Sequence, residues 1–368
     1  MEKKNLVVSG INLFEGGGLT VYKDFLTALI NKKIDQKYMI TAFVHDQKLF
    51  DGFSKKIELI ELKDSRVHYY KRLFYEFIYF ERYSRGKHID IWVSLHDITP
   101  RVHADKLYTY CHNPMPFYKC EFKNYRYSHA NFWFSLFYKY LYRINIKKNN
   151  AVIVQQDWMR AEFFKRYSLK NIVVARPILK AGAPKKISII EIPEGDHEIF
   201  TFIFVSLPRF FKNFEVICQA CTLLPKYLKY EVLLTIDGTE NKYSKEIYNK
   251  YYRDPHIKWI GVKEKEYIMK LYAISDCMIF PSKLETWGLP VSEYKETGKP
   301  IILADLPYAH EAVGTYDKVK FFNPNAADAL AEYMRQILMN SCKFDVCIEK
   351  VPSQPYVENW YELINYLV

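Results

Sequence analysis

The chain has 368 residues, 49% of them hydrophobic and 17% aromatic, which is more than one ordinary core holds and implies two packed domains of comparable size. Its seven cysteines are odd in number and scattered, several within apolar runs, which speaks against a disulfide framework and for reduced, buried thiols in a cytosolic protein. The net charge of +11 lies in the first half: residues 1–200 carry 33 basic against 21 acidic side chains, residues 201–368 carry 20 against 21.

Residues 5–10 predict a buried first strand, too short for the apolar core of a signal peptide, so no secretion is implied. Gly16-Gly17-Gly18 follows and leads into an amphipathic helix through Val21, Phe25, Leu26 and Leu29. These glycines lack the G-x-G-x-x-G dinucleotide fingerprint, and a flexible turn is one reading of them. The other is a glycine loop entering a helix, whose backbone N–H groups come close to a phosphate or sugar. Further strands are predicted at 38–44, 57–61, 89–95, 107–111, 151–155 and 171–175, with helical patterns between several of them, an alternation that favours a parallel sheet covered on both faces. Two strands end on polar residues. Ser94-Leu95-His96-Asp97 suits acceptor contacts or the capping of a turn, and Tyr110-Cys111-His112-Asn113-Pro114 closes the next one.

Residues 101–150 carry nine basic against two acidic side chains, interleaved with aromatics, which fits an anionic surface: a phospholipid leaflet or a nucleic acid. Over 127–148, Trp133, Phe137, Leu141 and Ile144 recur on one helical face beside a stripe of Lys139, Arg143 and Lys147. That is the layout of an interfacial helix, or of a core helix whose cations snorkel outward. No uncharged run approaches the ~20 residues of a spanning helix, so any membrane contact is expected to be peripheral.

The pattern breaks down at 181–198, read as a linker between a domain over 1–180 and one over 199–352. In the second domain strands are predicted at 202–205, 231–236, 257–260, 277–280 and 301–304, with helices at about 213–224, 241–252, 264–274 and 290–297. A last helix over 356–367 is placed in a tail, 353–368. The fullest signal runs from Phe280 to Glu293, closed by Gly298-Lys299-Pro300. Pro290 suits the first helical position, Gly298 the C-cap, and Glu293 the first turn. Glu285 and Glu293 therefore bracket a helix start whose free N–H groups attract a diphosphate, while Glu293 can accept hydrogen bonds from a ribose diol. Cys218-x-x-Cys221 has no second ligand pair or neighbouring His for a redox or zinc site, no Asp-x-Asp occurs, and there is no G-x-S-x-G elbow, so neither a divalent metal nor a nucleophilic serine is indicated.

On these residues the second half resembles the family 4 glycosyltransferases of the GT-B fold, α/β proteins with two Rossmann-like domains, each a parallel sheet, facing a central cleft. The resemblance rests on Glu285-x7-Glu293 around Trp287-Gly288-Leu289-Pro290, on Gly261-Val262, on 272–277, on Phe280-Pro281-Ser282, and on Asp305-Leu306-Pro307 through Gly314. It implies that Glu293 holds the nucleotide ribose and Glu285 approaches the donor sugar. Gly261, Val262, Gly288 and Leu289 line the donor site, Gly17 and Gly18 form a close-approach loop, and His112 stands beside the transferred sugar. The family's diphosphate-binding Arg follows a Gly, with a Lys five residues beyond. Here Leu207 stands at the Arg position, Arg209 lies two residues later, and Lys212 keeps its place.

The activity so implied is retaining transfer of a sugar from a UDP- or GDP-linked donor to a hydroxyl of a growing glycan, without a cofactor or divalent metal. The setting implied is bacterial capsule, O-antigen or exopolysaccharide synthesis. The acceptor would be a polyprenyl-diphosphate-linked saccharide at the inner face of the cytoplasmic membrane, with the enzyme peripheral on that anionic surface and the last helix crossing back onto the first domain. Two other readings stand beside it: a nucleotide-sugar epimerase of the same fold, and a basic nucleic-acid-binding protein, which leaves the Glu pair unexplained and lacks any RNP, KH or zinc-knuckle pattern, so that no nucleic-acid partner is expected.

Overall fold

The computed structural model describes residues 3–118, 126–127, 129–178 and 199–368. The segment read as a linker, 181–198, lies outside them. The described residues fall into two compact units, one of 3–118, 133–178 and 352–368, the other of 126–127, 129–132 and 199–351.

The first unit holds β1 (Lys4–Ser9), β2 (Tyr38–Val44), β3 (Glu58–Glu61), β4 (Ile91–Ser94), β5 (Lys106–Cys111), β6 (Ala151–Val154) and β7 (Ile172–Ala175). The second holds β8 (Phe200–Phe204), β9 (Tyr230–Leu234), β10 (Ile257–Trp259), β11 (Cys277–Phe280), β12 (Ile301–Ala304) and β13 (Val319–Phe322), and the chain ends in the first unit with β14 (Tyr356–Val357). Strands such as Ile91–Ser94, Ala151–Val154 and Ile301–Ala304 are buried along their whole length instead of alternating, because helices cover both faces of a parallel sheet. The two sheets run in the orders β14-β7-β6-β5-β4-β1-β2-β3 and β10-β9-β8-β11-β12-β13, with parallel pairing throughout. In each, the order reverses beside the first strand, between β1 and β4 and between β8 and β11. There the loops leaving the carboxyl ends of neighbouring strands part in opposite directions and open a crevice.

The helices are α1 (Gly16–Asn31), α2 (Tyr69–Phe74), α3 (Phe80–Arg85), α4 (His129–Arg143), α5 (Asp157–Tyr167), α6 (Phe214–Leu223), α7 (Lys242–Tyr251), α8 (Lys265–Ile274), α9 (Leu289–Lys295), α10 (Pro307–Val313), α11 (Ala327–Leu338) and α12 (Trp360–Leu367). A π turn, Tyr75–Tyr79, joins α2 to α3. On one face of the first sheet α12 packs on α1, with the Trp360 ring centred 5.6 Å from Phe25 and 5.1 Å from Tyr110. On another, Tyr138 and Tyr142 of α4 join Met159 and Phe163 of α5 over Val152, Val154 and Val174. A third cluster gathers Phe43, Phe80 and Trp92.

Two expectations are corrected here. The periodic run expected to be helical from residue 356 begins as a strand, Tyr356 pairing with Val174, and turns helical only after Asn359, whose side chain caps the helix by accepting the Glu362 N–H at 3.0 Å. The stripe expected on α4 divides: Trp133, Phe137 and Ile144 are exposed and joined by exposed Tyr140, but Leu141 turns toward the Tyr138–Tyr142 core. Residue 128 and the side chains of 129–132 and 134–136 lie outside the described residues.

Candidate active site

The carboxyl ends of β8 and β11 carry the second unit's polar groups. After β8 the chain makes a short 3-10 turn, Phe210–Lys212, and then Asn213 takes the left-handed conformation at φ 62°, which asparagine tolerates better than most residues. Asn213 is fully buried, and its Nδ2 donates to the carbonyl oxygens of Pro281 at 3.2 Å and Pro324 at 2.7 Å. The Lys283 N–H donates to Phe211 O at 2.7 Å. These bonds staple the loop after β8 to the loop after β11, and so Lys212 and Glu285 meet in an ion pair whose side chains keep only 16% and 13% of their exposure. Arg209, at the head of the 3-10 turn, is exposed and makes no ion pair with any described residue. Leu207 is exposed as well. Lys212 is therefore the built cation of this site, and Arg209 an exposed one beside it in sequence.

Gly288 stands at φ +83° as the N-cap of α9 and accepts the Val291 N–H at 2.9 Å. The helix starts one residue earlier than expected, so Pro290 is its second residue and Glu293 its fifth, just past the first turn. Pro290 has no N–H, and those of Val291 and Ser292 turn back to Gly288 O. The N–H groups of Gly288 and Leu289 stand ahead of those bonds, and because α9 has only seven residues its dipole adds little. Glu293 Oε1 lies 2.8 Å from Lys265 Nζ, at the start of α8. That pair is open to solvent, and such pairs hold by no more than about 1 kcal/mol, so a ribose diol can displace Lys265 at little cost. Trp287 is buried behind this wall, its Nε1 donating to Ser292 Oγ at 2.8 Å.

Gly261 follows β10 at φ +66°, a left-handed backbone that favours glycine, and a Cβ there would meet Asp237 Oδ2 at 2.8 Å unless that carboxylate moved. Val262 beside it is exposed. Asp237 is held below the usual carboxylate range, first by the Thr239 hydroxyl and N–H and further by Lys263.

His112, Gly17 and Gly18 belong to the first unit. The glycines are the opening turn of α1, which begins at Gly16, and do not form a separate loop; Gly18 has Leu13 at its back. His112 leaves β5 with its side chain 14% exposed, and both its N–H and that of Asn113 donate to Asp97 Oδ1, at 2.8 and 2.9 Å. Of the two uses considered for Ser94–Asp97, Asp97 thus performs the capping one, although the turn it caps follows β5 and not β4. Burial pushes the His112 imidazole below its usual range, with Asp97 opposing the shift and His96 and Arg72 adding to it. Asn213, Lys265 and Asp97 carry the geometry of the two sites, yet neither Asn213 nor Lys265 was marked in the sequence. The Asn directly after Lys212, where the chain must turn left-handed into a helix, is the signal that points to the first.

The stretch that contributes Lys212, Gly261, Glu285 and Glu293 matches the family model of the group 1 glycosyl transferases over residues 188–353. The O-antigen chain mannosyltransferase B of Escherichia coli is 26% identical over 152 residues, an alignment that spans 40% of this chain and 39% of that protein. The second unit is thus similar to the group 1 glycosyl transferases. Among solved structures, a glycosyltransferase from Rickettsia africae superposes with a TM-score of 0.64 at 16% identity, over 92% of this chain and 89% of that chain. Anabaena HepE in complex with UDP-glucose gives 0.60 at 14% identity, over 92% and 90%.

Elsewhere in the chain, Cys218 and Cys221 lie buried on α6 with thiols pushed up by burial. Among the described residues the one His/Asp group with metal-ligand spacing is His88, Asp90 and Asp105, just ahead of β4 and β5, whereas His112 follows β5. No helix of the described residues is long and apolar enough to cross a membrane.

Proposed function

We propose that this transferase moves a sugar, with retention, from a UDP- or GDP-linked donor to a hydroxyl of a polyprenyl-diphosphate-linked saccharide in bacterial surface-polysaccharide synthesis. The observation that carries this reading is the Lys212–Glu285 pair, stapled in place by Asn213 and standing at the switch point of the second sheet with Glu293 nearby on α9. An ammonium already compensated by a carboxylate can turn to a diphosphate when one arrives, leaving Glu285 to face the sugar.

In the transfer the bond from the anomeric carbon to the leaving phosphate oxygen breaks, and its electron pair stays on the diphosphate. Lys212, Arg209 and the N–H groups of Gly288 and Leu289 stabilise that growing charge. The acceptor oxygen bonds to the anomeric carbon on the same face, and its proton passes to the departing phosphate oxygen. No covalent nucleophile on the protein takes part. Glu293 binds the ribose diol, Gly261 and Val262 flank the base, the first turn of α1 at Gly17 and Gly18 offers N–H groups, and neutral His112 bonds a sugar hydroxyl.

The setting follows from charge and exposure. Exposed Trp133, Phe137, Tyr140 and Ile144 share α4 and its end with Arg143 and Lys147, and this face rests on the anionic inner leaflet where a lipid-linked acceptor lies. The test is a panel of UDP- and GDP-sugars scored for thermal stabilisation, followed by product analysis with the stabilising donor. Sugar transferred to an added lipid-linked saccharide supports the reading. Sugar released or epimerised equally well without acceptor overturns it.

A further inference from the structure

Beneath His112 lies a group of ionisable side chains that sugar transfer as described does not use. Glu76 sits in the π turn between α2 and α3, fully buried, with Oε1 3.0 Å from His96 Nδ1 and 3.9 Å from Arg72 Nε. Arg72 Nη2 donates to His96 O at 2.6 Å, and the Arg101 N–H donates to Glu76 O at 2.8 Å. A π turn inside a helix is uncommon and frequent at functional positions; here it carries the carboxylate against the loop after β4. His96 is itself wholly buried, and its Nε2 has no partner among the described residues.

The next residue, Asp97, is held at φ +75°, where a non-glycine residue stays only if its surroundings over-determine it. They do. Its N–H donates to Tyr110 O at 3.2 Å, Cys111 Sγ donates to its carbonyl at 3.6 Å, and its Oδ1 takes both the His112 and Asn113 N–H groups. Its second oxygen, Oδ2, stands 3.9 Å from His112 Nε2. Two charge-assisted bonds to consecutive N–H groups fix the backbone from which the His112 side chain springs. Tyr142 completes the hold by donating its hydroxyl to Asn113 O at 3.0 Å.

We infer that Asp97, braced by the buried Arg72–Glu76–His96 group, is a positioning residue that holds the His112 imidazole in the orientation required for sugar transfer. The inference rests on the sugar-transfer reading above for its consequence, and on the geometry of the first unit alone for its mechanism. It separates two properties of Asp97 that different substitutions remove. Asp97→Asn keeps a side-chain oxygen acceptor and tolerates the left-handed backbone but loses the charge. Asp97→Gly keeps the backbone conformation and loses the acceptor.

The experiment uses the full chain with whichever of UDP-glucose and GDP-mannose raises its melting temperature more. Asp97→Gly is expected to lower kcat for nucleotide release about 100-fold, with UDP or GDP affinity by calorimetry unchanged, and Asp97→Asn to stay within about tenfold of the parent. Combining Asp97→Gly with His112→Ala should cost no more than His112→Ala alone, since both act through one imidazole. A double variant that falls by the product of the single effects, or an Asp97→Gly enzyme that turns over like the parent, overturns the inference.

A second readout does not depend on the reaction. Proton contacts between the His112 and Tyr110 rings, whose centroids are 6.0 Å apart, should persist by NMR in Asp97→Asn and vanish in Asp97→Gly. Contacts that survive in Asp97→Gly sink the inference even if the donor is neither UDP-glucose nor GDP-mannose. Turnover by neither the parent nor any variant, with the ring contacts behaving as expected, counts against the sugar-transfer reading alone. If the glycine variant does not fold, Asp97→Ser, with a shorter acceptor, replaces it and is expected to fall between the other two.

Discussion

The carboxyl ends of the two sheets place charge in opposite ways. In the second unit, at β8 and β11, cations and carboxylates are paired one to one, Lys212 with Glu285 and Lys265 with Glu293, at or near the surface. In the first, after β4 and β5, Arg72, Glu76, His96 and Asp97 are buried, with Glu76 close to His96 and Arg72, and with Arg72 and Asp97 hydrogen-bonded to backbone. Paired charges near solvent can change partners, because water and an incoming ligand both compensate them. Buried charges cannot, since parting them leaves an uncompensated ion in a poor dielectric. The first arrangement suits binding an anion that arrives and leaves, the second suits holding a backbone still.

The sharpest way to break this contrast is Lys212→Ala. If Lys212 stabilises the leaving diphosphate, turnover should fall about 100- to 1,000-fold while the protein stays folded. A loss below tenfold in a steady-state assay would hand that role to Arg209. Next in size is Glu293→Ala, expected to weaken nucleotide binding by about 1.5–3 kcal/mol through loss of a charged acceptor for two hydroxyls. Unchanged affinity by calorimetry would remove Glu293 from the ribose. Changing Lys139, Arg143 and Lys147 together to Glu should detach the enzyme from phosphatidylglycerol vesicles, each basic group near the surface contributing about 1 kcal/mol, with the melting temperature preserved. Co-sedimentation equal to the parent's would end the membrane assignment.

A smaller effect sharpens the buried side of the comparison. His112 has a folded-state pKa depressed by burial, so both states are neutral well above about pH 6.5. As pH falls through that value the unfolded chain takes up a proton before the native one does, and stability should decline toward acid pH. His112→Gln should flatten that part of the stability profile; an unchanged slope would assign it to other groups. The smallest expected effect is that of chelation. With no Asp-x-Asp in the sequence and Lys212 placed for the diphosphate, EDTA should leave most of the transfer rate intact, and activity that returns only with Mn²⁺ or Mg²⁺ would refute the electrostatic scheme.

Legibility in the sequence followed burial and periodicity. The strands from Leu6 to Leu303 were readable because each is a short apolar run between loop signals, and α9 of the candidate site because Gly288-Leu289-Pro290 and Gly298 punctuate a helix. Val319–Phe322 was not read as a strand, since a four-residue stretch with Lys320 inside gives little pattern of its own and joins the sheet as an edge beside β12. Tyr356–Val357 was absorbed into a helix because its two residues happen to keep helical period with Trp360 and Leu363, and only pairing with Val174 makes them a strand.

By itself the sequence determined two parallel α/β sheets, the residues at their carboxyl ends, and the glycines that favour a left-handed backbone at the turns. Those follow from local sterics and from which side chains water rejects. Tertiary structure alone decided that Asn213 staples two loops, that Lys265 attends Glu293, and that Asp97 holds the chain at His112. Each of these joins residues 15 to 111 positions apart, through hydrogen bonds and ion pairs whose partners are chosen only once the strands stand side by side.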